Sequence, residues 1–132
     1  MKFALSILAV SLVMFHSNVS HADEAGRFAP LTEFEIADGR DVVANEEGKV
    51  AYTFDVDDAN VSNCYDACAK AWPPILVKDV SVLKEPMGST KRKDGTLQLT
   101  LEGQPLYFYA GDKKPGDING DGLGNVWHII VD

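Results

Sequence analysis

The 132-residue sequence has two cysteines, two tryptophans and three histidines, and 12 Lys and Arg are outnumbered by 20 Asp and Glu. Each scarcity excludes something. Two cysteines are too few for a multi-disulfide scaffold. A formal net charge of −8 lacks the basic footprint of a general nucleic-acid binder. The most apolar stretch, Phe3 to Phe15, is thirteen residues long. As a helix it reaches about 20 Å, short of a hydrocarbon core of about 30 Å. What remains is an ordinary globular composition, 45% hydrophobic and 24% charged. That leaves no room for collagen, a long coiled coil or wholesale disorder.

The first 22 residues read as an address. Lys2 precedes the apolar stretch, and Ser20 and Ala22 place small side chains at the −3 and −1 positions before Asp23. This is the pattern of a secretory signal peptide over 1–22. No cysteine lies near the cut, so a lipid-anchored N-terminus is not expected. Cleavage leaves 110 residues, a charge of −9 and His128 as the one remaining histidine. The expected location is periplasmic or secreted, with no integral membrane segment after cleavage.

The mature chain repeats itself. Gly48 to Asp57 and Gly103 to Asp112 both fit G-x-x-[AL]-Y-x-[FY]-x-x-D. Trp72 follows Tyr52 by 20 residues, and Trp127 follows Tyr107 by the same 20. Asp38 and Gly39 match Asp94 and Gly95 with a slip of one residue, and the period is 55. Tyr52 with Phe54, and Tyr107 with Tyr109, share a strand face at period 2. Asp57 and Asp112 then stand where an Asx-type turn ends the strand. Strands are expected over 50–54, 96–101, 105–109 and 126–131, with a weaker one at 41–45. Ser62 or Asn63 is expected to cap a short helix that Pro73 and Pro74 stop. The fold class predicted is mainly β: a small antiparallel domain of two pseudo-symmetric repeats with one short helix. Its parts are a lead-in over 23–37, repeat 1 over 38–83 and repeat 2 over 94–132. The intervening 84–93, with the basic run Lys91 to Lys93, reads as a solvated polar connection.

Candidate chemistry is sparse. Cys64 and Cys68 form C-x3-C, and in an oxidising compartment a disulfide is the default. A thiol redox role is the alternative, although the spacing is not C-x-x-C. Asp117, Asn119 and Asp121 begin like a calcium loop, D-x-N-x-D-G. The twelfth position is His128 rather than a bidentate Glu, so a glycine-rich turn competes with calcium binding. His128 has no second histidine or nucleophile elbow beside it. The aromatic residues fit either a core or a binding groove, and a 110-residue domain must bury its few large rings.

These residues resemble a predicted secreted or lipoprotein family defined by a Y-x-[FWY]-x-x-D motif, a secreted repeat of unknown function. The match runs through Tyr52, Phe54 and Asp57; S-x-C-x-x-x-C-x-x-x-W-P-P from Ser62 to Pro74; and Tyr107, Tyr109, Asp112 and Trp127. The resemblance implies fold and location and carries no activity with it. Relatives commonly have Gln at the place of Asp121. No catalytic residue is singled out. The expectation is a non-enzymatic binding or envelope-associated accessory protein whose partner is an unknown small molecule or envelope protein, with no nucleic acid. The alternatives are a calcium or other metal-binding or cofactor-binding module using the 112–124 loop, or a thiol redox protein.

Overall fold

The computed structural model describes residues 26–132, so the signal peptide read at 1–22 lies outside the described residues. The regular elements are β1 (Thr32–Glu35), β2 (Asp41–Ala44), β3 (Tyr52–Phe54), α1 (Ala67–Ala71), β4 (Met87–Lys91), β5 (Leu97–Leu101), β6 (Gln104–Pro105) and β7 (Trp127–Ile129). Every pairing is antiparallel: β1 with β2, β3 with β7, and β4 with β5 with β6. The mainly β architecture with one short helix and a duplicated unit is therefore present. Among the described residues no helix is long and apolar enough to cross a membrane.

The two halves open with equivalent hairpins, β1–β2 and β4–β5. In each, an Asp-Gly pair turns the chain. Asp38 Oδ1 accepts the N–H of Arg40 at 3.0 Å, and Asp94 Oδ1 accepts that of Thr96 at 2.9 Å. Gly39 and Gly95 follow at φ of 89° and 87°, a left-handed conformation that a side chain would strain.

Three stretches differ from the expectation. Residues 84–93 contain β4 rather than a connection alone. Its Gly88, Ser89 and Thr90 lack apolar alternation, but β5 offers a full ladder from Met87↔Leu101 to Lys91↔Leu97. The lead-in holds β1, and before it Phe28 and Leu31 are buried. The strand expected over 105–109 is cut short. Pro105 has no N–H to donate, and Tyr107 instead bridges to Tyr52 and to Pro74. The helix also starts later than its expected caps. Asp66 occupies the N-cap without a side-chain capping bond, because Ser62 and Asn63 are engaged elsewhere.

The halves interlock. The chain after each tryptophan crosses to the other half's hairpin: Ile75 O accepts from Leu99 N–H at 2.8 Å, and Ile130 O accepts from Val43 N–H at 3.0 Å. Between them Tyr52 and Tyr107 exchange both backbone bonds, at 2.8 and 3.0 Å. Equivalent residues that pair with each other define an isologous, two-fold-like contact. Separating the halves would strip backbone groups of partners on both sides. The core divides into an aliphatic cluster around Val43, Leu99 and Leu106 and an aromatic cluster around Tyr52, Trp72, Tyr107 and Trp127.

Candidate functional site

The two tryptophans stack face to face, with centroids 3.8 Å apart and planes 1° from parallel. Phe54 stacks on the outer face of Trp127 at 4.0 Å, and Tyr109 on Trp72 at 4.3 Å. The result is a column of four rings, Phe54, Trp127, Trp72 and Tyr109, in which each repeat supplies one tryptophan and one end ring. Tyr52 meets Trp72 edge-on at 5.1 Å, and Tyr107 meets Trp127 edge-on at 5.2 Å. Both tryptophans are about 6% exposed, which puts them in the core.

The motif Asp and Tyr also pair across the halves. Tyr52 Oη donates to Asp112 Oδ2 at 2.6 Å, and Tyr107 Oη donates to Asp57 Oδ2 at 2.7 Å. The other oxygen of each carboxylate closes the expected turn: Asp57 Oδ1 accepts from Asn63 N–H at 2.7 Å, and Asp112 Oδ1 from Asn119 N–H at 2.9 Å. Burial, reinforced by the neighbouring Asp112, pushes the Tyr52 hydroxyl far above the usual tyrosine range. Burial does the same at Tyr107. Asp57 is raised by burial, which outweighs the opposing bonds from Tyr107 and Asn63.

The groups that surround these pairs differ between halves. Around Tyr52, Gly120 N–H donates to the hydroxyl at 3.2 Å. Around Tyr107, Ser62 Oγ lies 2.6 Å from the hydroxyl and receives Arg92 Nη1 at 3.0 Å. The basic run places Arg92 in a solvated connection by sequence, but it is 6% exposed. It also donates to Gln98 Oε1 and to Cys64 O, both at 2.8 Å, and its guanidinium lies 4.3 Å from the Tyr65 ring centroid. Its charged neighbours Lys91 and Lys93 mask this relay in the sequence. A signal existed in the hairpin match, where Arg92 occupies the place of Ile36.

Cys64 and Cys68 form a disulfide. Cys64 precedes the helix, and its segment holds Ser62 and Asn63 against Tyr107 and Asp57. The calcium-like string is used otherwise. Asp117 Oδ2 accepts the N–H groups of Lys113 and Lys114, each at 2.9 Å, which keeps its carboxyl below the usual range. Asp121 Oδ1 accepts from Ile129 N–H at 3.1 Å, and Asn119 serves Asp112 through its backbone. Among the described residues no three His, Cys, Asp or Glu side chains are grouped to hold a metal ion. His128 lies 2.7 Å from Asp55 Oδ2, and both are about half exposed.

Two clefts occupy matching places on the halves. One, of about 360 Å³, is lined by Phe54, Asp55, Asp57, Asp58 and Glu102 among others. Its counterpart, of about 280 Å³, is lined by Glu47, Lys49, Asp112, Lys113, Lys114 and Pro115. The structure thus brings Tyr52, Phe54, Asp57, Trp72, Tyr107, Tyr109, Asp112 and Trp127 into one cluster. Asp117 and Asp121 instead brace the adjoining glycine-rich loop.

The model of a secreted repeat of unknown function matches the chain twice, over residues 34–76 and 88–131. No curated protein and no solved structure shows significant similarity to it.

Proposed function

The chain belongs to the family of secreted repeats of unknown function, and from that premise we propose that it is a non-enzymatic binding or envelope-associated accessory protein. It works outside the cytoplasm, delivered by the signal peptide over 1–22. One observation carries the reading. The polar atoms of the repeated motif are consumed inside the fold: both motif tyrosines donate to motif carboxylates, and those carboxylates also hold turn N–H groups. Acid, base or nucleophilic work needs a group whose proton or lone pair is free to reach a substrate. The motif instead builds a rigid double unit that presents loops, which is how binding modules are commonly made.

Native mass spectrometry of the protein isolated from its own compartment tests this. A chain beginning at Asp23 with a non-covalently retained ligand or partner is expected. A chain that keeps Met1 would contradict the location. Turnover of a substrate abolished by His128→Ala or Cys68→Ser would contradict the non-enzymatic reading.

A further inference from the structure

We propose that the cleft at the Phe54 end of the aromatic column binds an organic cation carried on an extended chain, the ammonium or guanidinium side chain of a basic peptide segment. The inference rests on the binding-module reading and names its ligand class.

The two ends of the column are finished differently. At the Tyr109 end the second half's own loop lies against the ring. A Cβ added to Gly111 would sit 2.5 Å from a Tyr109 ring carbon, and one added to Gly120 would sit 2.9 Å away. Only glycine permits that approach. At the Phe54 end the ring lines an open cleft of about 360 Å³. Val56, which the repeat places opposite Gly111, is 54% exposed. Both end rings are half-buried, but glycines pack on Tyr109 whereas Phe54 lines a cavity.

The charge of that cavity is not a by-product of the fold. The equivalent turn of the second half carries Lys113 and Lys114, where the first has Asp58 and Ala59. Of the cleft's carboxylates, Asp57 is committed to Tyr107 and Asn63, and Asp55 to His128. Asp58 and Glu102 are exposed; Asp58 accepts one long bond from Asn63 Nδ2, at 3.4 Å, and its other oxygen and the Glu102 carboxylate face the cleft. Among the described residues no Lys, Arg or His lines the cleft. Carboxylates beside an aromatic ring suit a cation with an alkyl stem, since the ring attracts the charge and the stem packs on its face.

The cleft is also not isolated. Ala59, Glu102 and Gly103 form a shared wall with a wider groove of about 750 Å³ that passes Glu85, Pro86, Met87 and Gly88. The smaller cleft accommodates one long side chain. The groove accommodates the chain that carries it, and Glu85 extends the same sign of charge.

Phe54 stacks on Trp127, so intrinsic tryptophan fluorescence reports on the site. The mature chain is titrated at low ionic strength with blocked tri-lysine peptide, spermidine and blocked tri-glutamate. Saturable change is expected with tri-lysine, at least ten-fold weaker with spermidine, and none with tri-glutamate. Asp58→Asn with Glu102→Gln should weaken tri-lysine at least five-fold at unchanged Tm. Asp38→Asn with Asp79→Asn, outside the lining of the cleft and groove, should leave it unchanged. No response to tri-lysine overturns the inference, as does equal weakening by both pairs of substitutions, which marks non-specific attraction to an acidic protein. Spermidine binding as tight as tri-lysine overturns the peptide assignment. A ligand retained by the native protein that tri-lysine does not displace overturns this inference and leaves the binding-module reading standing.

Discussion

The Tyr52 hydroxyl donates to Asp112 across 60 residues of sequence and into the opposite repeat, at 2.6 Å. Its mirror, Tyr107 to Asp57, lies at 2.7 Å. The Y-x-[FY]-x-x-D motif is thus closed between its two copies, with each tyrosine completing the other copy's turn. Tyr52→Phe removes the donor and leaves a buried carboxylate short of a partner. A hydrogen bond to a charged group contributes about 1.5–3 kcal/mol. Chemical denaturation of Tyr52→Phe should show a loss in that range, and Tyr107→Phe a similar one.

Trp72 and Trp127 form the centre of the column, each contacting three other rings. Truncating either leaves a large cavity between flat faces that cannot close over it. Trp72→Ala and Trp127→Ala are each expected to cost about 3–5 kcal/mol, as buried aromatics do. Melting measured by circular dichroism checks this. Near-wild-type stability of either variant would contradict the column's structural role.

The disulfide closes a loop spanning five residues. Chain-entropy arguments give about 2 kcal/mol for a loop of that size. The Cys64→Ser, Cys68→Ser double variant should lose about that much. It should stay folded, because the second half holds the equivalent Tyr52–Asp112 pair with a glycine-rich loop and no disulfide. Unfolding of the double variant at room temperature would contradict this.

Alkaline titration gives a signed prediction. The neutral forms of Tyr52 and Tyr107 are favoured by folding, chiefly through burial. A group whose folded pKa lies above its unfolded value of about 10 contributes stability that is complete below that value. The contribution is then lost as pH rises toward the folded value. Stability should therefore fall above about pH 10, and the tyrosinate absorbance of these two residues should appear only with unfolding. Tyr52→Phe should diminish that unfolding-linked absorbance alone. Ionisation of Tyr52 in the folded protein near pH 10 would contradict its burial.

Much of this was legible in residue spacing. The duplicated Tyr, Phe or Tyr, Asp and Trp positions predicted strands, turns and two repeats, because strand period and turn chemistry are local properties. The Cys64–Cys68 disulfide followed from compartment and spacing. What spacing does not carry is which copy a residue answers to: Tyr52 with Asp112 and Tyr52 with Asp57 are indistinguishable by pattern. β4 was hidden because Gly88, Ser89 and Thr90 acquire strand character only from the β5 ladder. Arg92 read as solvent-facing beside Lys91 and Lys93, yet tertiary contacts bury it behind Ser62. The column of four rings joins residues from both repeats, so its stacking order is visible only once the crossover is.

A pair of double-mutant cycles tests the interlocked arrangement most directly. One combines Tyr52→Phe with Asp112→Asn, across the repeats; the other combines Tyr52→Phe with Asp57→Asn, within one motif copy. The account predicts a coupling energy of about 0.5–3 kcal/mol in the first cycle and additivity within about 0.5 kcal/mol in the second. Coupling within the motif copy, with none across the repeats, would contradict it.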